Sequence, residues 1–316
     1  MPLRAAIEQR YPPTSHRMVA MRERLVEVCQ AFLDGGLGDG NTEQRLCSAD
    51  DHIYWQQLSE VLLAHQLKTA GIGFAHQQEG PDFRIDRDGR RVWIEVITPT
   101  ATNIPIEWLA PAGNRVRDFP HTAILLRWTA AIKQKAEVLL GNPQLAIPGY
   151  LANGIVGADD AYVIAINGRL LRGFDDVFDS LTGISQFPFA VEATFAVGPL
   201  QVRINRSTLE AGAPEHQLRY MIHKPAGLPV PADTFLDQRF APISAIWAAD
   251  IDEFSLSERI PRMAVVHNPG AANPLPPQLL PAQDEYLAHE IDERNYQLDR
   301  LDGSLPVKAA DEVVVG

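Results

Sequence analysis

The order of patterns over residues 51–168 predicts an α/β protein: a helical period, three short strand-like runs, a second helical period, then a continuous apolar strand. Two details support that class. A glycine-containing connection joins two alternating runs in the manner of a hairpin, and the run at 161–166 is apolar throughout, as a strand buried on both faces must be. With 316 residues, 46% of them apolar, the chain is long enough for one large or two ordinary domains.

The elements follow in order. After Pro12 and Pro13, Met18, Met21, Leu25, Cys29 and Phe32 recur at three- and four-residue steps up to Gly35-Gly36, predicting a helix over 17–34. The glycine-rich stretch at 35–40 resembles a dinucleotide fingerprint, but no strand precedes it, and it reads as a loop. Ile53, Leu58, Val61, Leu62 and Leu67 predict a helix over 51–70, stopped by Gly71. Strands are expected at 73–76, 81–86 and 91–97, the last two joined through 87–90, and Pro99 and Pro105 then break regular structure. Leu125, Trp128, Ile132 and Leu139 place a helix over 122–140, before the strand at 161–166. Further strands are expected at 189–197, 201–204, 243–248 and 263–267. Residues 268–283 contain five prolines and should form an irregular strap. The pair His289-Glu290 reads as part of a charged surface helix, and no internal repeat is found.

Charge and cysteine content limit the function classes. The chain carries 28 Lys+Arg against 40 Asp+Glu, a net charge of −12, which argues against a generic nucleic-acid coat protein. Residues 80–135 differ, with nine positive against six negative groups, so this segment carries +3 and the remainder −15. Cys29 and Cys47 are the only cysteines, too few for a disulfide framework or a Cys-rich zinc site. The polar N-terminus and the absence of an 18-residue apolar run lead to the expectation of a cytoplasmic protein without a membrane partner. There is no GxxxxGK[ST], HExxH or GxSxG, and His267 and the aromatics Trp93, Trp108 and Trp128 read as structural.

The chemistry-bearing residues lie on the expected hairpin. Asp82 follows Pro81 on one strand and Glu95 sits in the middle of the other, so opposed strands can bring two carboxylates together. Two hard oxygen ligands facing one space suit Mg²⁺ or Mn²⁺. The alternative is structural: Asp82 as a turn residue, and Glu95, flanked by Trp93, Ile94, Val96 and Ile97, in a buried ion pair with an arginine. A carboxylate in so apolar a strand is costly unless it is paired or binds a metal.

The order of elements, with GPDF at 80–83 and IEV at 94–96, resembles the PD-(D/E)XK nuclease-like superfamily over about residues 51–168. The resemblance implies a mixed central β-sheet flanked by helices, a restriction-endonuclease-like αβββαβ core. Residues 1–50 would then be a helical extension and 169–316 a C-terminal elaboration packed on or extending the same sheet. It also implies a metal held by Asp82, Glu95 and the backbone carbonyl of Val96, with Glu60 of the preceding helix assisting, although Glu60 also reads as a solvated helix residue. The family's usual lysine, two residues after the glutamate, is replaced here by Ile97. Lys135 is the candidate substitute, because it lies on the apolar stripe of the 122–140 helix with Trp128 and Ile132, whereas Lys133 falls off it. Snorkelling of Lys135 to solvent is the alternative.

The expected function is a metal-dependent nuclease acting on nucleic acid, DNA first, using Mg²⁺ or Mn²⁺. Asp82, Glu95, Lys135 and Glu60 would be the catalytic set. Arg84, Arg87, Arg90, Arg91, Arg115, Arg117 and Arg127 would contact nucleic acid, and a homodimer is one form the protein could take. The competing expectation is a catalytically silent member of the same fold that binds nucleic acid or protein.

Overall fold

The computed structural model describes residues 2–111, 117–174, 179–224, 226–257, 259–292 and 295–305. Three helices precede the core: α1 (Leu3–Arg10), α2 (His16–Asp34) and α3 (Thr42–Leu46). The Ser15 hydroxyl accepts from the Met18 N–H at 3.2 Å and so caps α2. Helix α4 (Asp51–Thr69) starts in the same way, the Asp50 carboxylate accepting from the Ile53 N–H at 3.0 Å. A single turn, α5 (Ile106–Leu109), precedes the long α6 (His121–Leu140), which ends at Gly141 with φ 83°. A short helix, α7 (Phe189–Thr194), follows.

The central sheet has seven strands: β1 (Phe83–Arg87), β2 (Arg90–Ile97), β3 (Ala161–Asn167), β4 (Ala245–Asp250), β5 (Arg262–His267), β6 (Asp284–Asp292) and β7 (Asn295–Asp302). Their order across the sheet is their order along the chain. β2, β3 and β4 run parallel, as do β5 and β6, while β1 with β2, β4 with β5 and β6 with β7 are antiparallel. The protein is therefore of the α/β class, with a mixed sheet flanked by helices. Strands β4 to β7 continue the sheet begun by β1 to β3, so residues after 168 extend it.

Hydrophobic residues fill both faces of the sheet. Val163 and Ala165 of β3 pack with Leu25, Leu58 and Leu62 of α2 and α4, while Tyr162, Ile164 and Ile166 pack with Trp128 and Ile132 of α6 and Phe189 of α7. This two-sided burial explains why β3 reads as an unbroken apolar run. The turn between β1 and β2 has Asp88 at φ 53° and Gly89 at φ 73°, the left-handed pair that a two-residue hairpin loop requires. Among the described residues, no helix is long and apolar enough to cross a membrane.

Three expectations about elements need correction. The strand at 73–76 is reduced to an isolated bridge between Ala75 and Arg84. Residues 189–194, read as a strand, form α7; a short apolar run cannot be assigned by period alone, and Pro188 at its N-cap with Ala190, Glu192 and Ala193 favours a helix. His289 lies in β6 rather than on a charged helix, because β7 supplies it with a partner across an antiparallel ladder. The proline-rich stretch at 268–283 contains neither helix nor strand, as its composition demands.

Candidate active site

The site forms where β2 runs past the start of β1. Phe83 pairs with Ile94, so Asp82 continues the register beside Glu95, and beyond this point β2 has no strand on that side. Side chains take the place of the missing strand. The Asp82 carboxylate accepts from the Val96 N–H at 2.6 Å. The Gln56 carboxamide, on α4, accepts from the Thr98 N–H at 2.9 Å and donates to the Val96 carbonyl at 3.3 Å. Gly80 shapes the approach of Asp82: it has φ +121°, and a Cβ there would stand 2.7 Å from Ile155 Cγ2. Gly80→Ala should therefore lower stability by about 1–3 kcal/mol through strain and overpacking, read as a fall in the thermal midpoint.

Alternation along β2 puts Arg91, Trp93, Glu95 and Ile97 on the face toward α6. Lys135 reaches back from α6, and its Nζ donates to Glu95 Oε1 at 2.6 Å, with only 14% of the lysine side chain and 8% of the glutamate side chain exposed. Lys133 instead points outward, 3.8 Å from Glu137. Ile97 is buried among the α6 residues, so the position two residues after Glu95 belongs to the apolar core. Glu60, one turn after Gln56 on α4, accepts from Gln57 Nε2 at 2.7 Å. His76 Nδ1 lies 3.1 Å from the Asp82 carbonyl.

The electrostatics follow from burial. Glu60, Asp82 and Glu95 with Lys135 bring three carboxyl groups to one ammonium in a water-poor setting. Burial pushes the Glu95 carboxyl up to about 7, helped by Asp82 and opposed by Lys135. Burial, with the Asp82 charge, holds Glu60 well above the usual carboxylate range. Asp82 is raised by burial, against the pull of Lys135 and the Val96 N–H. Burial alone would lower Lys135, but Glu95, Asp82 and Glu60 outweigh it and raise the amine.

The fit of a metal can be judged from these donors. Among the described residues, no three His, Cys, Asp or Glu side chains form a group that could hold an ion. A smaller donor set exists: the Asp82 and Glu95 carboxylates and the Val96 carbonyl. Glu95 Oε2 is buried without a hydrogen-bond partner among the described residues, an atom whose chemistry suits a cation. A hard divalent ion that keeps several waters needs no more protein ligands than these.

The arginines divide. Arg84 pairs with Asp86 at 2.9 Å, and Arg91 with Asp86 at 3.4 Å and Asp160 at 3.5 Å. Arg117 donates to the Trp108 and Ala110 carbonyls, and Arg127 to the Thr100 carbonyl at 2.8 Å. Arg115 lies outside the described residues. Arg87 and Arg90 are exposed at the hairpin tip and line a groove of about 590 Å³ against Pro276 and Pro277 of the strap. Arg90 stands five residues from Glu95, roughly 16 Å along an extended strand.

Neither cysteine enters the site. Burial pushes the Cys29 thiol up to about 12, so at pH 8 almost none is thiolate. A thiol reagent should leave Cys29 unlabelled in the native protein and label it on unfolding, as mass spectrometry would record.

Local sequence pattern does not single out Gln56, His76 or Tyr162. A phenol within the continuous apolar strand at 161–166 was the available signal for Tyr162, since a buried hydroxyl needs a partner. Gln56 had a weaker one, its spacing of one helical turn from Glu60. No family model matches the chain, and neither a curated protein nor a solved structure matches it.

Proposed function

We propose that the chain is a divergent nuclease-like phosphodiesterase of the PD-(D/E)XK arrangement that hydrolyses nucleic-acid phosphodiester bonds, with DNA as the first substrate to test. The observation that carries this reading is the 2.6 Å contact of Lys135 Nζ with Glu95 Oε1, beside Asp82. It supplies an ammonium to the motif glutamate from the following helix, where the strand itself offers Ile97.

Asp82, Glu95 and the Val96 carbonyl would hold Mg²⁺ or Mn²⁺, which when bound would polarise the phosphodiester and offset the carboxylate charge. Lys135 holds Glu95 Oε1 and leaves Oε2 as a donor. Its charge can position the attacking water or meet the charge that develops on the phosphate. Glu60, its carboxyl raised by burial and by Asp82, can hold a proton in the site.

A second reading has its own support. The Asp82 bond to the Val96 N–H and the Glu95–Lys135 pair each engage one oxygen of the carboxylate without a cation, as expected of a silent member that binds nucleic acid or protein. Incubation of plasmid, single-stranded DNA and RNA with the protein in Mn²⁺ or EDTA tests the choice: cleavage only with the ion supports the nuclease, and salt-sensitive binding without cleavage supports the silent module. In either case Arg90→Glu should weaken DNA binding about tenfold, ~1.4 kcal/mol, in a low-salt titration.

A further inference from the structure

Several buried polar atoms near the site lack a hydrogen-bond partner among the described residues, and the Tyr162 hydroxyl is one of them. Tyr162 of β3 is fully buried, and its hydroxyl, like Glu95 Oε2, makes no hydrogen bond to any described residue. The register explains their proximity. Tyr162 lies directly opposite Trp93 and Glu95 opposite Ile164 on parallel strands, so Tyr162 and Glu95 are diagonal neighbours. Trp93, Tyr162 and Ile164 all pack on the α6 face, the side from which Lys135 reaches Glu95. Diagonal neighbours stand roughly 7–8 Å apart at Cα, within reach of an aromatic side chain. The Glu95 charge accordingly raises the Tyr162 phenol, after burial.

Two orphaned polar atoms on diagonal positions of one buried face point to a common partner, since a buried hydroxyl or carboxylate oxygen left unpaired is costly. A water is the simplest partner able to accept from a hydroxyl while donating to a carboxylate. We propose that Tyr162 is a positioning residue for Glu95: its O–H donates to one water, and that water donates to one lone pair of Glu95 Oε2, leaving the other for the cation. Lys135 on Oε1 and the tyrosine-held water on Oε2 then fix the carboxylate from both ends. The inference rests on the reading of Glu95 as a cation ligand, and partners that orient a ligand typically contribute about 10–100-fold to metal affinity.

Mn²⁺ affinity measured by calorimetry on the full-length protein, without nucleic acid, tests this in four forms: the unaltered protein, Tyr162→Phe, Glu95→Gln and the double variant. Tyr162→Phe should weaken Mn²⁺ binding at least about tenfold while circular dichroism shows an intact fold, and the same change should have little effect once Glu95 is Gln. Unchanged affinity in Tyr162→Phe, an equal loss in both backgrounds, or failure of Tyr162→Phe to fold would overturn the positioning role alone. If the unaltered protein shows no saturable Mn²⁺ binding, the positioning role falls together with the metal-site reading.

Discussion

Lys135→Met is expected to destabilise the metal-free protein, and to do so increasingly as pH rises. The substitution keeps an unbranched apolar stem of similar length and removes the ammonium that Glu95 Oε1 accepts from. A buried acceptor deprived of a charged donor costs about 1–3 kcal/mol. Glu95 has an escape by protonation. Its folded value, about 7, lies above the ordinary 4.5, so its contribution to stability is complete below about pH 4.5 and is lost as pH rises through about 7. Without Lys135 the folded value moves higher still, and the loss continues to higher pH. Thermal melts in EDTA should therefore show the variant close to the unaltered protein at pH 5 and separated from it by several degrees at pH 8. Equal melts at pH 8 would mean that Lys135 contributes nothing to holding Glu95.

On the proposed nuclease reading, Asp82→Asn is expected to reduce metal-dependent cleavage by at least about a hundredfold, ~2.7 kcal/mol of transition-state stabilisation, with the fold retained. Asparagine is the informative change because its amide oxygen can still accept from the Val96 N–H, the bond that Asp82 makes at 2.6 Å. Alanine would remove that bond as well and confuse a structural loss with a chemical one. Removing one of three crowded carboxylates also relieves repulsion, so the metal-free thermal midpoint of Asp82→Asn should equal or exceed that of the unaltered protein. A lower midpoint, with Mn²⁺ binding unaffected, would assign Asp82 to the edge of the strand and not to a cation.

Local pattern made much of the core legible before any coordinates. The three-and-four spacing of Leu125, Trp128 and Ile132 marks the buried stripe of α6, and that stripe also separates Lys135 from Lys133. The Asp88-Gly89 turn marks the hairpin, because only such a pair adopts two successive left-handed conformations cheaply. What stayed hidden depends on partners distant in the chain. Gln56 substitutes for a strand at the edge of β2, and no local period encodes such a role. The helical turn at 189–194 is fixed by Glu192, whose carboxylate meets His121 at 2.5 Å, 71 positions away, and the Ser185 N–H at 2.8 Å. The arginines were read as a phosphate-binding face from their number alone; Asp86 and Asp160, which neutralise Arg84 and Arg91, become visible only once the strands are paired.

The coincidence of strand order with chain order shapes how the protein is made. Each new strand of the sheet adds to an edge that already exists, so assembly can proceed in the direction of synthesis. The interval between additions is uneven. Once β3 has joined β2, its other edge waits through residues 168–244 for β4. At ribosomal rates that gap of 77 residues lasts roughly 4–15 s. Throughout that time an apolar strand with an open row of backbone groups is available to any other nascent chain. Chaperone capture is therefore expected to peak on nascent chains that have passed residue 168 and have not yet exposed β4.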